Sequence, residues 1–334
     1  MSFGNSSDTD SQPFSSSEIS IPRPIRFWLM LLCDIPSIIC SFFLIIYIII
    51  DRTHRYALHN HTILLLLIFG LPIQLIDINF YLIFFSYGSV QPSQPLVCLL
   101  WWFADYGCEI GVIILMTWLA IERHILIFHD RLISNRRGRF LFHYLPLIIL
   151  VTYILLFYLI VIFVLPCENN YLYTVPVCGQ SPCYESYGIL GMWEFIVHLC
   201  TPILSEGIAS IALILRVKIQ GQRLRQSNQW RKQRRMIIQL LLVSTLNIGI
   251  NIPSSILLIT HLCGLQSDYE VEAQLYFFFF QYFVILLFPF ISLSQFPDLR
   301  KTMKEKLLGV VRRRPHHIAP VTHTRRDIPM NRIT

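Results

Sequence analysis

Charge is scarce in this chain of 334 residues: Asp, Glu, Lys and Arg make up 14%, and hydrophobic residues 54%. That balance excludes an ordinary soluble domain. Catalytic constellations are missing as well. There is no Ser-His-Asp ordering and no glycine-rich phosphate loop, and His54, His59 and His61 lack the carboxylate and spacing of a metal enzyme. Neither an enzyme nor a metal or cofactor site is expected. Strict apolar–polar alternation is absent from runs such as 62–69 and 276–280, which excludes β-barrel spans. Residues 1–26 are polar and Ser-rich, without a basic region, apolar stretch and cleavage site in succession. They read as a disordered extracellular tail with a glycosylation sequon at Asn5.

Long apolar runs are what the chain has instead. Seven are present, at 27–50, 58–85, 96–121, 140–165, 187–215, 236–263 and 272–296. Each is long enough to cross a bilayer as a helix with its backbone hydrogen bonds kept internal. The expected fold is an all-α integral membrane protein, a seven-helix bundle filling 27–296. Past it, residues 297–311 carry apolar side chains at helical spacing amid Lys and Arg, which suits an amphipathic helix on the membrane surface. Residues 312–334 form a basic tail.

The 27 Lys and Arg residues orient the bundle. The N-terminal side of the alternating connections holds Arg23 and Arg26. The other side holds six in its first two connections, eight in 216–235 and ten in 300–332. The positive-inside rule then puts the N-terminus outside and the C-terminus in the cytoplasm. The net charge of +7 is a topological signature, and nucleic acid is not an expected partner. On this topology Cys98, Cys167, Cys178 and Cys183 are extracellular, where disulfides persist. The inner connections and tail hold no cysteine, which excludes palmitoylation there.

The third span organises the rest. Arg123 follows Cys98 by 25 residues, about 37 Å of helix, so the two lie at opposite membrane faces. Asp105 and Glu109 are four apart within it and project from one side. Carboxyls facing lipid are costly, so both should face a protein interior. Asp77 in the second span, with Glu194 and His198 in the fifth, can line the same outer cavity. No Lys or Arg sits in the outer halves of these spans, so an acid-rich cavity either attracts a cation or keeps some acids protonated. The plainer alternative is that these groups are hydrogen-bonded between helices and only pack.

Seven spans, Cys98, and Glu122-Arg123-His124 at the end of the third resemble the rhodopsin-like G-protein-coupled receptors over roughly 27–308. Asn60 with Leu66 fits the second helix of that family. Pro202, Pro253 and Pro289 fit the kink prolines of helices five, six and seven, and Phe296-Pro297-Asp298 fits the entry to an eighth. The chain departs from the pattern in several places. His124 replaces a Tyr, Gly70 an Asp, Asn251 the helix-six Trp, and Phe288-Pro289-Phe290-Ile291-Ser292 the Asn-Pro-x-x-Tyr motif. The fourth span lacks the expected Trp, and Gln233 stands where some relatives oppose the arginine with an acid.

The resemblance implies a plasma-membrane receptor carrying an extracellular signal to a heterotrimeric G protein. Cys98 would pair with Cys178 or Cys183, leaving two cysteines to close a small loop. Glu122 would hold Arg123 at rest, until helix six swings out about Pro253 and frees the guanidinium for the G protein. Asp105 falls where amine receptors pair a ligand ammonium. Helix five offers Glu194 and His198 in place of hydroxyls, so a basic or amidated peptide fits as well as a small cationic amine. Two alternatives compete: a proton-coupled carrier using Asp77, Asp105 and Glu109 as a relay, and a receptor-like scaffold that no longer couples.

Overall fold

The computed structural model describes residues 19–179, 182–224, 228–262 and 268–296, and Leu299. Residues 1–295 form one compact unit and 296–334 a second. The sequon at Asn5, the basic tail and all of the expected surface helix except Leu299 lie outside the described residues. Seven helices are long and apolar enough to cross a membrane: Arg23–Ile50, Leu58–Tyr87, Pro95–Phe128, Arg136–Val164, Gly188–Ile219, Leu241–Thr260 and Glu272–Leu293. They are called helices one to seven below. No strand occurs among the described residues. The chain is a multi-pass, all-α membrane protein.

Helix ends differ from the expected boundaries by a few residues. Helix one begins at Arg23 rather than at residue 27, with a proline in its first turn, where a missing N–H costs nothing. Arg23 and Arg26 therefore belong to the helix and not to the tail. Their guanidiniums lie 5.5 and 4.7 Å from the rings of Phe84 and Phe85 in helix two, within cation–π range. Between helices one and two, the Asp51 carboxylate accepts from the backbone N–H groups of Thr53 and His54, capping the turn Arg52–Arg55. The Thr53 N–H holds the Asp51 carboxyl below its ordinary titration range, so the cap persists at neutral pH and weakens as acid protonates it.

Helix three is the axis of the bundle. In its most apolar 18-residue stretch 61% of the residues are buried, and no other span exceeds 50%. Two glycines let its neighbours approach. A Cβ at Gly111 would stand 2.5 Å from Phe69 of helix two, and one at Gly107 would stand 3.2 Å from Tyr158 of helix four. Without water-driven association, such close approach is a main source of helix–helix attraction in lipid.

Five single π-helical turns interrupt the spans: Ile73–Asp77, Phe103–Cys108, Phe140–Tyr144, Ile160–Val164 and Glu194–Cys200. A π turn inserts an extra residue and rotates the helix face beyond it. Four of the five carry polar groups that a straight helix would aim elsewhere: Asp77, Asp105, His143, and Glu194 with His198. Pro253 lies inside helix six and Pro289 inside helix seven. Pro202 follows the π turn of helix five, and its carbonyl accepts from Thr117 Oγ1 of helix three at 2.9 Å.

Cys98 at the head of helix three is joined to Cys178, and Cys167 is joined to Cys183. The loop so pinned runs over Trp102, whose Nε1 donates to the Val177 carbonyl at 2.9 Å and whose ring stacks on Tyr171. Cys33, Cys40, Cys108 and Cys200 are free thiols within the spans.

The glycine contact gives a direct check. Gly111→Val forces its side chain into the Phe69 ring and should destabilise the bundle by about 1–3 kcal/mol, the usual cost of overpacking. Adding Phe69→Ala removes the clash and should restore part of the lost melting temperature in detergent. A Gly111→Val protein as stable as the wild type would contradict the packing described.

Candidate functional site

Three carboxyls gather near the Cys98 end of the bundle. Asp77 ends the π turn of helix two, Asp105 sits in that of helix three, and Glu109 opens the α-helix after it. They lie within electrostatic reach of one another. Asp77 is fully buried, while Asp105 and Glu109 are half-buried. Asp77 and Asp105 are met by neutral donors. Trp101 Nε1 donates to Asp77 Oδ1 at 2.7 Å, and the Tyr282 hydroxyl of helix seven donates to Asp105 Oδ1 at 3.1 Å. Asp77 Oδ2 has no hydrogen-bond partner. Among the described residues no Lys or Arg pairs with any of the three. Tyr81 stands between the aromatic partners, 5.2 Å from the Trp101 ring and 5.5 Å from Tyr282. Carboxyls behind aromatic faces suit a cation chemically, because both present negative potential to it.

Glu194 and His198 do not join this group as direct contacts. Glu194 Oε1 accepts from the hydroxyls of Tyr158 at 2.7 Å and Tyr184 at 3.1 Å. His198 Nε2 lies 2.6 Å from the Tyr153 hydroxyl, and its Nδ1 lies 3.3 Å from that of Tyr158. Trp193 Nε1 completes the set by donating to Tyr153 at 2.8 Å. The pair thus clasps helix five to helix four and the outer loop, the interhelical packing role held open as the plainer alternative. Three tyrosines, two on helix four and one in the outer loop, supply the partners, and periodicity along helix five carries no trace of them.

At the opposite end, Glu122 and Arg123 are both buried, with 1% and 2% exposure. Adjacent residues on a helix point about 100° apart, so the two side chains reach different groups. Arg123 Nη2 donates to the His59 carbonyl at 2.9 Å. Glu122 accepts from the Thr62 hydroxyl and lies 2.8 Å from His143 Nδ1 of helix four. The direct contacts of both side chains thus run to helices two and four, while the Glu122 carboxyl stays within electrostatic reach of the Arg123 guanidinium. His124 is half-buried, its ring 5.2 Å from Phe128.

No family model matches the chain, and no curated protein matches it by sequence. Among solved structures, squid rhodopsin superposes with a TM-score of 0.64 and 14% identity, covering 93% of each chain. The chain has the seven-helix fold of rhodopsin. At 14% identity the likeness is one of fold.

Two interior features went unnoticed in the sequence. Glu206, fully buried one turn below Pro202, accepts from Asn247 Nδ2 of helix six at 2.6 Å. Asn251, the residue in place of the Trp, donates to the carbonyl and to Oδ1 of Asn247 at 2.9 and 2.8 Å. Helices five and six of the rhodopsin-like bundle are thus bolted by hydrogen bonds at mid-depth. The spacing of Asn247 and Asn251, one turn apart in an apolar run, was the available signal. The second feature is a cavity of about 10 Å³ beside Gly70, lined also by Ser41, Gln74 and Pro289, about the room one water needs. Gln74 bridges it to helix one, donating to Ser37 Oγ at 3.0 Å, and Ser37 Oγ donates to the Leu286 carbonyl of helix seven.

Tyr158→Phe removes one of two donors to Glu194. Leaving a buried acceptor short of a partner costs about 1–3 kcal/mol, so the melting temperature should drop measurably. No change would show that the clasp between helices four and five contributes nothing.

Proposed function

We propose that the chain is a plasma-membrane receptor, N-terminus outside, that binds a cationic ligand and activates a heterotrimeric G protein. The observation that carries this reading is the acid cluster of Asp77, Asp105 and Glu109. It is embedded in a rhodopsin-like bundle, lacks any basic partner among the described residues, and faces the rings of Trp101, Tyr81 and Tyr282. A ligand ammonium or guanidinium, from a small amine or from a basic or amidated peptide, supplies the missing positive charge. Asp105 and Glu109, the more accessible acids, make first contact, and Asp77 behind them sets the field. Tyr282 links the cluster to helix seven, so ligand charge at Asp105 acts on two helices at once.

Activation in this reading needs helix six to separate from helix five near Arg123, pivoting about Pro253. The Glu206–Asn247 bond opposes that separation and so favours the resting state. The basic connections at 131–139 and 216–235 frame the G-protein surface. The buried acids also suit a proton-coupled carrier, which would move substrate without nucleotide exchange.

Guanine-nucleotide exchange on a panel of G proteins, with amine and basic-peptide libraries, tests the reading. Wild type should respond to a cationic ligand, and Arg123→Ala should abolish the response. Asp105→Asn should shift the half-maximal ligand concentration upward by at least tenfold, the scale of one lost charge-assisted contact. Asn247→Leu should raise ligand-independent exchange several-fold, because it removes the bond between helices five and six. Folded protein at the cell surface that never promotes exchange, yet transports a cation, would replace the receptor with the carrier.

A further inference from the structure

Helices five and six share a polar seam at mid-depth that has donors but no positive charge. Glu206 of helix five is fully buried, and Asn247 Nδ2 of helix six donates to its Oε2 at 2.6 Å. Asn251 Nδ2 donates to the Asn247 carbonyl at 2.9 Å and to Asn247 Oδ1 at 2.8 Å. Glu206 Oε1 has no hydrogen-bond partner, and neither has Ser210 Oγ. Ser210 stands one turn further along the same face of helix five and is only 6% exposed. Ser244 of helix six, also buried, reaches the same carboxyl with its hydroxyl.

Hydrogen counting fixes the direction of these bonds. A backbone carbonyl only accepts, so the Asn251 atom facing the Asn247 carbonyl must be its amide nitrogen. The second hydrogen of that nitrogen points at the Asn247 side chain, which must answer with its oxygen. The remaining terminal atom of Asn247 is then the nitrogen, and toward Glu206 it can only donate. A proton on Glu206 would find no acceptor at Asn247. Both amides are instead aligned so that each donates toward the carboxyl, and such a series strengthens its last bond. The arrangement suits a carboxylate.

A carboxylate at this depth needs a countercharge. Among the described residues Glu206 forms no ion pair. Basic groups on the neighbouring helices are committed elsewhere. On helix five, His198 meets the Tyr153 hydroxyl, and the Arg216 guanidinium lies 5.4 Å from the Phe128 ring. On helix three, Arg123 donates to the His59 carbonyl, and the Thr117 hydroxyl is turned to the Pro202 carbonyl.

We propose that Glu206 Oε1, Ser210 Oγ and the Ser244 hydroxyl form a binding site for a sodium-sized monovalent cation between helices five and six. All three ligands are oxygens, the donor set of a hard cation. One carboxylate balances one positive charge, whereas a divalent ion would leave a net charge buried. Burial of all three residues excludes an organic ammonium of any size. The ion draws helix six to helix five beside the Glu206–Asn247 bond, and parting the two helices would take Ser244 from it. The site stands whether or not the chain is a receptor.

Sodium chloride against choline chloride at equal ionic strength is the probe, with the full chain in nanodiscs. Wild type should melt higher in sodium, in a saturable way, and its amide hydrogen exchange at 203–213 and 241–251 should slow several-fold. Glu206→Gln keeps an acceptor for Asn247 without the charge, so it should lose both responses. Ser210→Ala should keep them but need several-fold more sodium. A sodium effect at 203–213 and 241–251 that persists in Glu206→Gln would overturn the proposal. The map of exchange in the wild type gives a reading that no variant's folding can confound. Sodium protection at helices five and six supports the site. Protection confined to 73–82 and 101–109 would put the ion at the outer acids and refute it, as would no difference between sodium and choline.

Discussion

A bilayer interior offers no hydrogen bonds, so every polar side chain carried into it must find a partner within the protein. This bundle buries an unusual set of such groups: Asp34, Asp77, Glu122, Arg123, His143, Glu194, His198 and Glu206, with several Asn, Gln and Ser. Nearly all its interhelical polar contacts answer that demand. Tyrosines of helix four and the outer loop hold Glu194, His143 and Thr62 hold Glu122, and Asn247 holds Glu206. Apolar packing against lipid-like neighbours distinguishes poorly between arrangements, and these contacts distinguish sharply.

The π turns are how the backbone meets the same demand. A straight α-helix repeats every 3.6 residues and presents one stripe to the interior. Inserting one residue turns the following stretch, so a span can aim polar groups at one neighbour and apolar groups at another. Helix three uses such a turn immediately before Glu109, bringing Asp105 to Tyr282 while the α-helical stretch after it packs against Phe69. Helix five uses another to set Glu194 and His198 against helix four, and then returns to α-helix before Pro202.

The two ends of helix three differ in how their charge is balanced. At the Cys98 end, Asp77 and Asp105 accept from the neutral donors Trp101 and Tyr282. At the Arg123 end, acid, guanidinium and imidazoles are all accommodated by helices two and four. Helix six is instead held by the Glu206–Asn247–Asn251 contacts at mid-depth.

Hydropathy is a local property, so seven spans and their approximate ends could be read from residues alone, as could the placement of Cys98 and Arg123 at opposite faces. Basic residues are likewise counted loop by loop, without knowing what touches what. Partners are not local. That Cys98 meets Cys178, that Glu194 and His198 turn toward Tyr153 and Tyr158 rather than Asp105, and that His143 and Thr62 meet Glu122 were decided only when the helices packed. Each of those choices depends on helix rotation, and a single π turn, invisible in hydropathy, is enough to change it.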